Sequence, residues 1–155
     1  MAIYGMLTNP EITLRQKEII RGTILGGSSI VQPKKGKNCY LSMRGKQAAW
    51  LEYKAAELRS LSSQAPFTVE QTNRWHSLCY PLFQEFKELF YKNGERHLTM
   101  AALDPLHDIG LAVWFGDCGK LRRGKVVLNT HIWGLAGNKV IKEYFHSLGY
   151  RIALT

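Results

Sequence analysis

HDIGLAVWFGDCG, from His107 to Gly119, is an apolar run long enough for a buried helix, closed by a glycine. A counterpart lies near the start of the chain, where IIRGTILGGSSI runs from Ile19 to Ile30. Pro10 and Glu11 open the segment leading into it, and Ile12, Ile19, Ile20 and Ile24 carry a helical recurrence to about Gly26. Gly22 and Gly26 are spaced i, i+4, as are Ala112 and Gly116, so each helix offers a stripe of small residues that permits close backbone approach.

Each apolar helix is followed by a basic hairpin and then an amphipathic helix. After the first, Ser29 to Gly45 holds two β-rich runs around Lys35-Gly36-Lys37. Lys46 to Leu61 follows as a helix with Leu51, Ala55 and Leu58 on one face. Phe67 to Leu78 predicts a weaker hairpin broken near Thr72-Asn73, and Pro81 starts a helix that carries Leu82, Phe83, Phe86, Leu89 and Phe90 up to Asn93-Gly94. Glu95 to Pro105 reads as a linker. Behind the second apolar helix, Gly119 to Arg123 and Lys125 to Thr130 flank Gly124 as a hairpin, Asn138 to Leu148 as a helix, and Tyr150 to Leu154 as a last strand. A shift of about 91 residues superposes the order of elements, so the architecture is repeated. The expectation is one compact α/β (α+β) domain over 1–155 made of two halves, 8–94 and a shortened 105–155.

The 21 Lys and Arg against 12 Asp and Glu give a net charge of +9, the sign expected of a protein whose partner is rich in phosphate. Cys39, Cys79 and Cys118 are too far apart for a zinc or redox CxxC and suggest no disulfide framework, which fits a reducing, intracellular compartment. Met1 to Thr8 lacks a basic segment followed by an apolar run, and no stretch approaches the roughly 18 apolar residues of a membrane span. His76, His97, His107, His131 and His146 show no ligand spacing, Ser28-Ser29 lack a GxSxG elbow, and GTILGGSS ends a helix without a phosphate-binding Lys. These absences exclude the commoner hydrolase and nucleotide-binding readings.

Taken in order, the elements resemble the LAGLIDADG homing endonuclease family, in particular its compact two-motif members. IIRGTILGGSSI stands where the family commonly reads GLLLGDGSI, and LAVWFGDCG, Leu111 to Gly119, where it often reads LAYWFMDDG. LFYKNGERHLT, Leu89 to Thr99, is similar to an LFYKNGKK run between the motifs, and KVVLNTHIW, Lys125 to Trp133, to the strand after the second. The resemblance implies a pseudo-two-fold repeat of αββα units with saddle-shaped antiparallel sheets along the DNA major groove and the motif helices packed at the centre. It implies a monomer, with a dimer or a partner left open, and no membrane.

The family cleaves DNA with one acid per motif, just before the motif's last glycine, and Mg²⁺ suits those carboxylates because it is a hard cation that takes oxygen ligands. Here the first acid position holds Gly27, followed by Ser28, and the second holds Cys118. Asp117 is the one carboxylate near either foot, a position early and therefore turned by about 100° around a helix. The leading expectation is accordingly a degenerate, intron-associated type of protein that binds double-stranded DNA selectively and no longer cuts it, with no cofactor, or Mg²⁺ only if cleavage survives. An active nuclease using Asp117 and an RNA-binding splicing factor are the alternatives.

Strand alternation assigns the candidate contacts. Ile30, Cys39 and Leu41 read as inward; Gln32, Lys34, Tyr40, Ser42 and Arg44 read as outward, with Lys35 and Lys37 at the turn and Arg74 and His76 extending the surface. In the second half Lys120, Arg122, Lys125, Val127 and Asn129 take comparable places and Arg123 lies at the turn. Arg44, Arg122, Gln32 and Asn129 have the fork or amide geometry that reads base edges, whereas the lysines suit phosphates.

Overall fold

The computed structural model describes residues 8–155, so the N-terminal stretch read above for a leader lies, up to Leu7, outside the described residues. Helices and antiparallel sheets alternate along the chain, the mixed α/β class expected. Two compact units form, one from the chain up to Lys17 together with Ser28–Phe86, the other from Glu18–Gly27 together with Lys87–Thr155. Halves drawn along the chain at 8–94 and 105–155 do not coincide with these units, because α1 (Leu14–Leu25) joins the second motif from Glu18 onward.

In the first unit β1 (Ser29–Val31), β2 (Tyr40–Gly45), β3 (Phe67–Val69) and β4 (Thr72–His76) form one antiparallel sheet in the order β1-β2-β4-β3. Alternation along the strands places Ile30, Leu41, Met43 and Trp75 on the face that is buried, at 4%, 0%, 0% and 1% exposure. Helix α2 (Ala48–Glu57) lies against β2 and β4 and buries Leu51 and Ala55. The second hairpin turns at Glu70-Gln71, both at positive φ, and not at Thr72-Asn73. Asn73 belongs to β4, where its amide donates to the carbonyls of Gly45 and Lys46 at 3.3 Å and ties the strand to the end of β2. Helix α3 (Pro81–Phe90) begins in this unit with Leu82, Phe83 and Phe86 buried.

The second unit departs further from the local reading. Asn93-Gly94 does not merely stop α3; with both residues at positive φ it is the turn of a two-residue ribbon, β5 (Tyr91–Lys92) and β6 (Glu95–Arg96). The stretch read as a linker thus contains β6 and a helical turn, α4 (Met100–Leu103). Helix α5 (Asp108–Cys118) leads into β7 (Gly119–Arg122) and β8 (Lys125–Leu128), joined by Arg123-Gly124 at φ of 48° and 74°. A 3₁₀ turn at His131–Trp133 precedes α6, which spans Gly134–Ser147 and so starts ahead of the expected Asn138. Tyr150 to Leu154 is not a strand: it has no pairing partner, and extended chain without one gains no ladder hydrogen bonds.

The unit's core gathers Leu103, Leu106, Val113, Trp114, Trp133, Ile141 and Tyr144, all buried. Within it the motif helices touch backbone to backbone. A Cβ on Gly22 would collide with the Gly110 carbonyl oxygen and with Val113, and a Cβ on Gly26 would collide with Asp117. The stripe on α5 is therefore Gly110, Val113 and Asp117. Ala112 and Gly116, expected to pack, are exposed, since two residues along a helix rotate a position by about 200°. One carboxylate fixes the pair: Glu18, only 8% exposed, accepts from the backbone N–H groups of His107 and Gly110 at 2.9 Å each. An acid from α1 thus satisfies orphan donors at the start of α5, where its charge also meets the positive end of the helix dipole.

Candidate nucleic-acid interface

The opposite face of the four-stranded sheet carries Tyr40, Arg44, Phe67, Arg74 and His76, because Arg44 pairs with Arg74 and Phe67 with Arg74 across the strands. His76 lies between two rings, 5.3 Å from that of Tyr40 and 5.5 Å from that of Phe67. Burial, and then the charges of Arg74 and Arg44, push its imidazole below the ordinary value, so it is neutral at pH 7. Among the described residues Arg74 Nε is buried with no acceptor, a donor left over on this face. Lys34, Lys35 and Lys37 are exposed in the loop between β1 and β2.

Two expected contacts are differently employed. Ser42 sits between Ser29 and His76 in the register and is 8% exposed, so it offers little surface to a ligand. Gln32 follows the end of β1 and turns its amide to the loop, donating to the Gly36 carbonyl at 3.0 Å and accepting from the Cys39 thiol at 3.1 Å. That amide shapes the lysine loop; the strand's alternation does not carry it to the polar face.

Hairpin β7–β8 is exposed on both sides. Lys120 pairs with Val127 and Arg122 with Lys125, so these four share one face, while Leu121 and Val126 share the other at 72% and 64% exposure. Arg123 is exposed at the turn. The Asn129 N–H donates to the Cys118 carbonyl at 3.0 Å, which prolongs the pairing and places Asn129 on the basic face.

At the feet of the motif helices the donor set is unlike a metal site. Gly27 has no side chain and stands at φ 121°, a conformation that L-residues rarely adopt. Its carbonyl accepts from Arg96 Nη2 at 3.0 Å, and Trp133 Nε1 donates to the Leu25 carbonyl at 3.1 Å, so side chains take up carbonyls at the end of α1 and just beyond it. The Arg96 guanidinium rests 5.4 Å from the ring centre of Trp133, a cation–π contact. Cys118 donates its thiol to the Trp114 carbonyl at 3.4 Å, and burial, aided by the neighbouring Asp117, pushes the thiol up to about 11. Asp117 is half-buried: it packs on Gly26, and its Oδ2 accepts from the Thr23 hydroxyl at 3.1 Å. Glu18, Thr23, Arg96 and Trp133 escaped the sequence reading, since each acts on residues far along the chain and none carries a local signature.

The profile of the LAGLIDADG DNA endonuclease family matches residues 17–152 of the chain. The chain belongs to the LAGLIDADG family. Among solved structures, that of the homing endonuclease I-WcaI bound to its DNA recognition sequence shares the fold with a TM-score of 0.80 at 20% identity, over 90% of this chain and 69% of that one. No curated protein sequence matches. For a LAGLIDADG protein the decisive test is whether the feet fit a divalent ion, and here they do not. Mg²⁺ takes oxygen ligands, whereas Gly27 offers no side chain and Cys118 offers a protonated sulfur. Among the described residues no three His, Cys, Asp or Glu side chains gather as a metal cluster.

Proposed function

We propose that this LAGLIDADG protein binds double-stranded DNA with sequence preference and does not hydrolyse it with Mg²⁺. The observation that carries the second half is the donor set at the feet: a glycine at φ 121°, a thiol held protonated, and an aspartate engaged by Thr23. With a single carboxylate where two are needed, and that one bonded to Thr23, no ion is held to lower the pKa of an attacking water and stabilise the leaving oxygen. Binding is supported by the +9 charge, by the exposed Lys34, Lys35, Lys37, Lys120, Arg122, Arg123 and Lys125, and by the DNA in the I-WcaI structure. Arg44, Arg74, Arg122 and Asn129 are the base-reading candidates and the lysines the phosphate contacts.

The protein is taken to act as a monomer in a reducing compartment, in keeping with three free cysteines. Among the described residues no helix is long and apolar enough to cross a membrane. A specific observation favours a second reading, RNA binding: Tyr40, Phe67 and His76 interleave with Arg44 and Arg74 on one sheet face, the chemistry that stacks unpaired bases.

The test is a selection of bound sequences from random duplexes, followed by incubation of a plasmid carrying the selected site with Mg²⁺ or Mn²⁺. Binding with a log-log salt slope of roughly −4 to −8 and no nicking above background is expected. Specific nicks abolished by Asp117→Asn overturn the non-cleaving reading. Tighter binding to structured RNA than to any duplex selects the second.

A further inference from the structure

Asn129 is exposed at the end of β8, and its own side chain is not free to turn. Its Oδ1 lies 2.6 Å from Nδ1 of His131, and because an amide oxygen only accepts, that imidazole nitrogen carries the proton and donates. His131 is itself held on a braced loop. Asn138 donates through Nδ2 to the Thr130 carbonyl at 3.0 Å and to the Gly134 carbonyl at 2.6 Å, while the Thr130 hydroxyl donates to Asn138 Oδ1. Two residues beyond His131, the buried Trp133 anchors the 3₁₀ turn through its bond to Leu25.

We propose that His131 is a positioning residue for base recognition, holding the Asn129 amide so that its NH₂ faces outward from the basic face of the hairpin. This rests on the duplex-binding reading above. A free asparagine reads adenine with both its oxygen and its nitrogen; with the oxygen turned to His131 and one of its two lone pairs engaged there, the NH₂ donors are what the amide presents outward. The position then favours base edges that accept, the N7 and O6 of guanine, the N7 of adenine and the O4 of thymine, and disfavours the amino group of cytosine.

The experiment measures, for the full chain and its variants, competition among duplexes that differ at the one base pair where Asn129→Ala flattens the preference. The unmodified protein is expected to reject cytosine there by roughly ten-fold or more. His131→Ala flattens that preference to within about two-fold, and His131→Asn restores it, because the asparagine Nδ2 takes the place of the imidazole Nδ1–H. His131→Asp inverts it: the Asn129 amide turns to donate to the new carboxylate and shows its oxygen outward, which suits the cytosine amino group. Both side chains are exposed, so the variants keep their fold, and the salt slope of each reports that phosphate binding is intact. A preference that Asn129→Ala abolishes but His131→Ala leaves unchanged overturns the proposal, as does a His131→Asp variant with the unmodified preference. If the unmodified protein binds no duplex, the parent reading falls first and this one with it, before any variant is made.

Discussion

Replacing Glu18 tests the contact on which the motif helices depend. Its Oε2 accepts two backbone N–H groups at 2.9 Å, those of His107 and Gly110, and the Gly110 donor is buried. In Glu18→Ala the start of α5 loses a capping acceptor, worth about 1 kcal/mol, and a favourable charge at the dipole's positive end, worth up to about 2 kcal/mol in a partly buried setting. The Gly110 N–H is also stranded, at a cost of about 1–3 kcal/mol. These contributions overlap, so the expected loss is about 2–4 kcal/mol in total. Glu18→Gln keeps an oxygen that accepts and loses only the charge, for about 1 kcal/mol. Urea unfolding followed by far-UV circular dichroism reads the difference as a shift in midpoint at unchanged slope. If Glu18→Ala unfolds within about 0.5 kcal/mol of the unmodified protein, the carboxylate does not hold α5 and the account of the helix pair is wrong.

The azimuth of α5 predicts opposite signs for two glycine substitutions: Gly22→Ala meets the Gly110 carbonyl and should lower stability by about 1–3 kcal/mol, whereas Gly116→Ala, exposed in mid-helix, should raise it by up to about 1 kcal/mol. Thermal melts of the two variants check this, and a destabilised Gly116→Ala would return the stripe to Ala112 and Gly116. A thiol near 11 is about one part in a thousand ionised at pH 8, so iodoacetamide should label Cys118 about a hundred-fold more slowly than a thiol at the ordinary 9.0, with the rate rising about ten-fold per pH unit up to about 11. Peptide mapping by mass spectrometry reads the rates; ordinary reactivity at pH 8 would mean that Cys118 is solvated and available as a ligand.

The resemblance to the family pointed to Gly27 and Cys118 at its acid positions, and the chain's local chemistry determined the class of fold, the two apolar helices and the basic hairpin after each. These follow from periodicities of a few residues, from glycines at element ends and from residue identity, all of which a linear sequence carries. Alternation likewise placed Arg44, Lys120, Arg122 and Lys125 on their faces correctly once the strands were drawn, and failed at Gln32, where the strand ends one residue early. Tertiary structure alone decided the rotation of α5 about its axis: LAVWFG is apolar nearly all round, so the small residues Ala112 and Gly116 marked the wrong face, and Gly110, Val113 and Asp117 are what meet Gly22 and Gly26. It decided the tasks of Glu18, Arg96, Trp133 and His131, whose partners lie far along the chain or on a loop shaped from elsewhere. It also set the backbone of Gly27 at a positive φ and held the half-buried Cys118 thiol protonated, the two features on which the non-cleaving proposal rests. Backbone angle, burial and approach between distant segments are properties of the packed chain, and the order of residues expresses them only after folding.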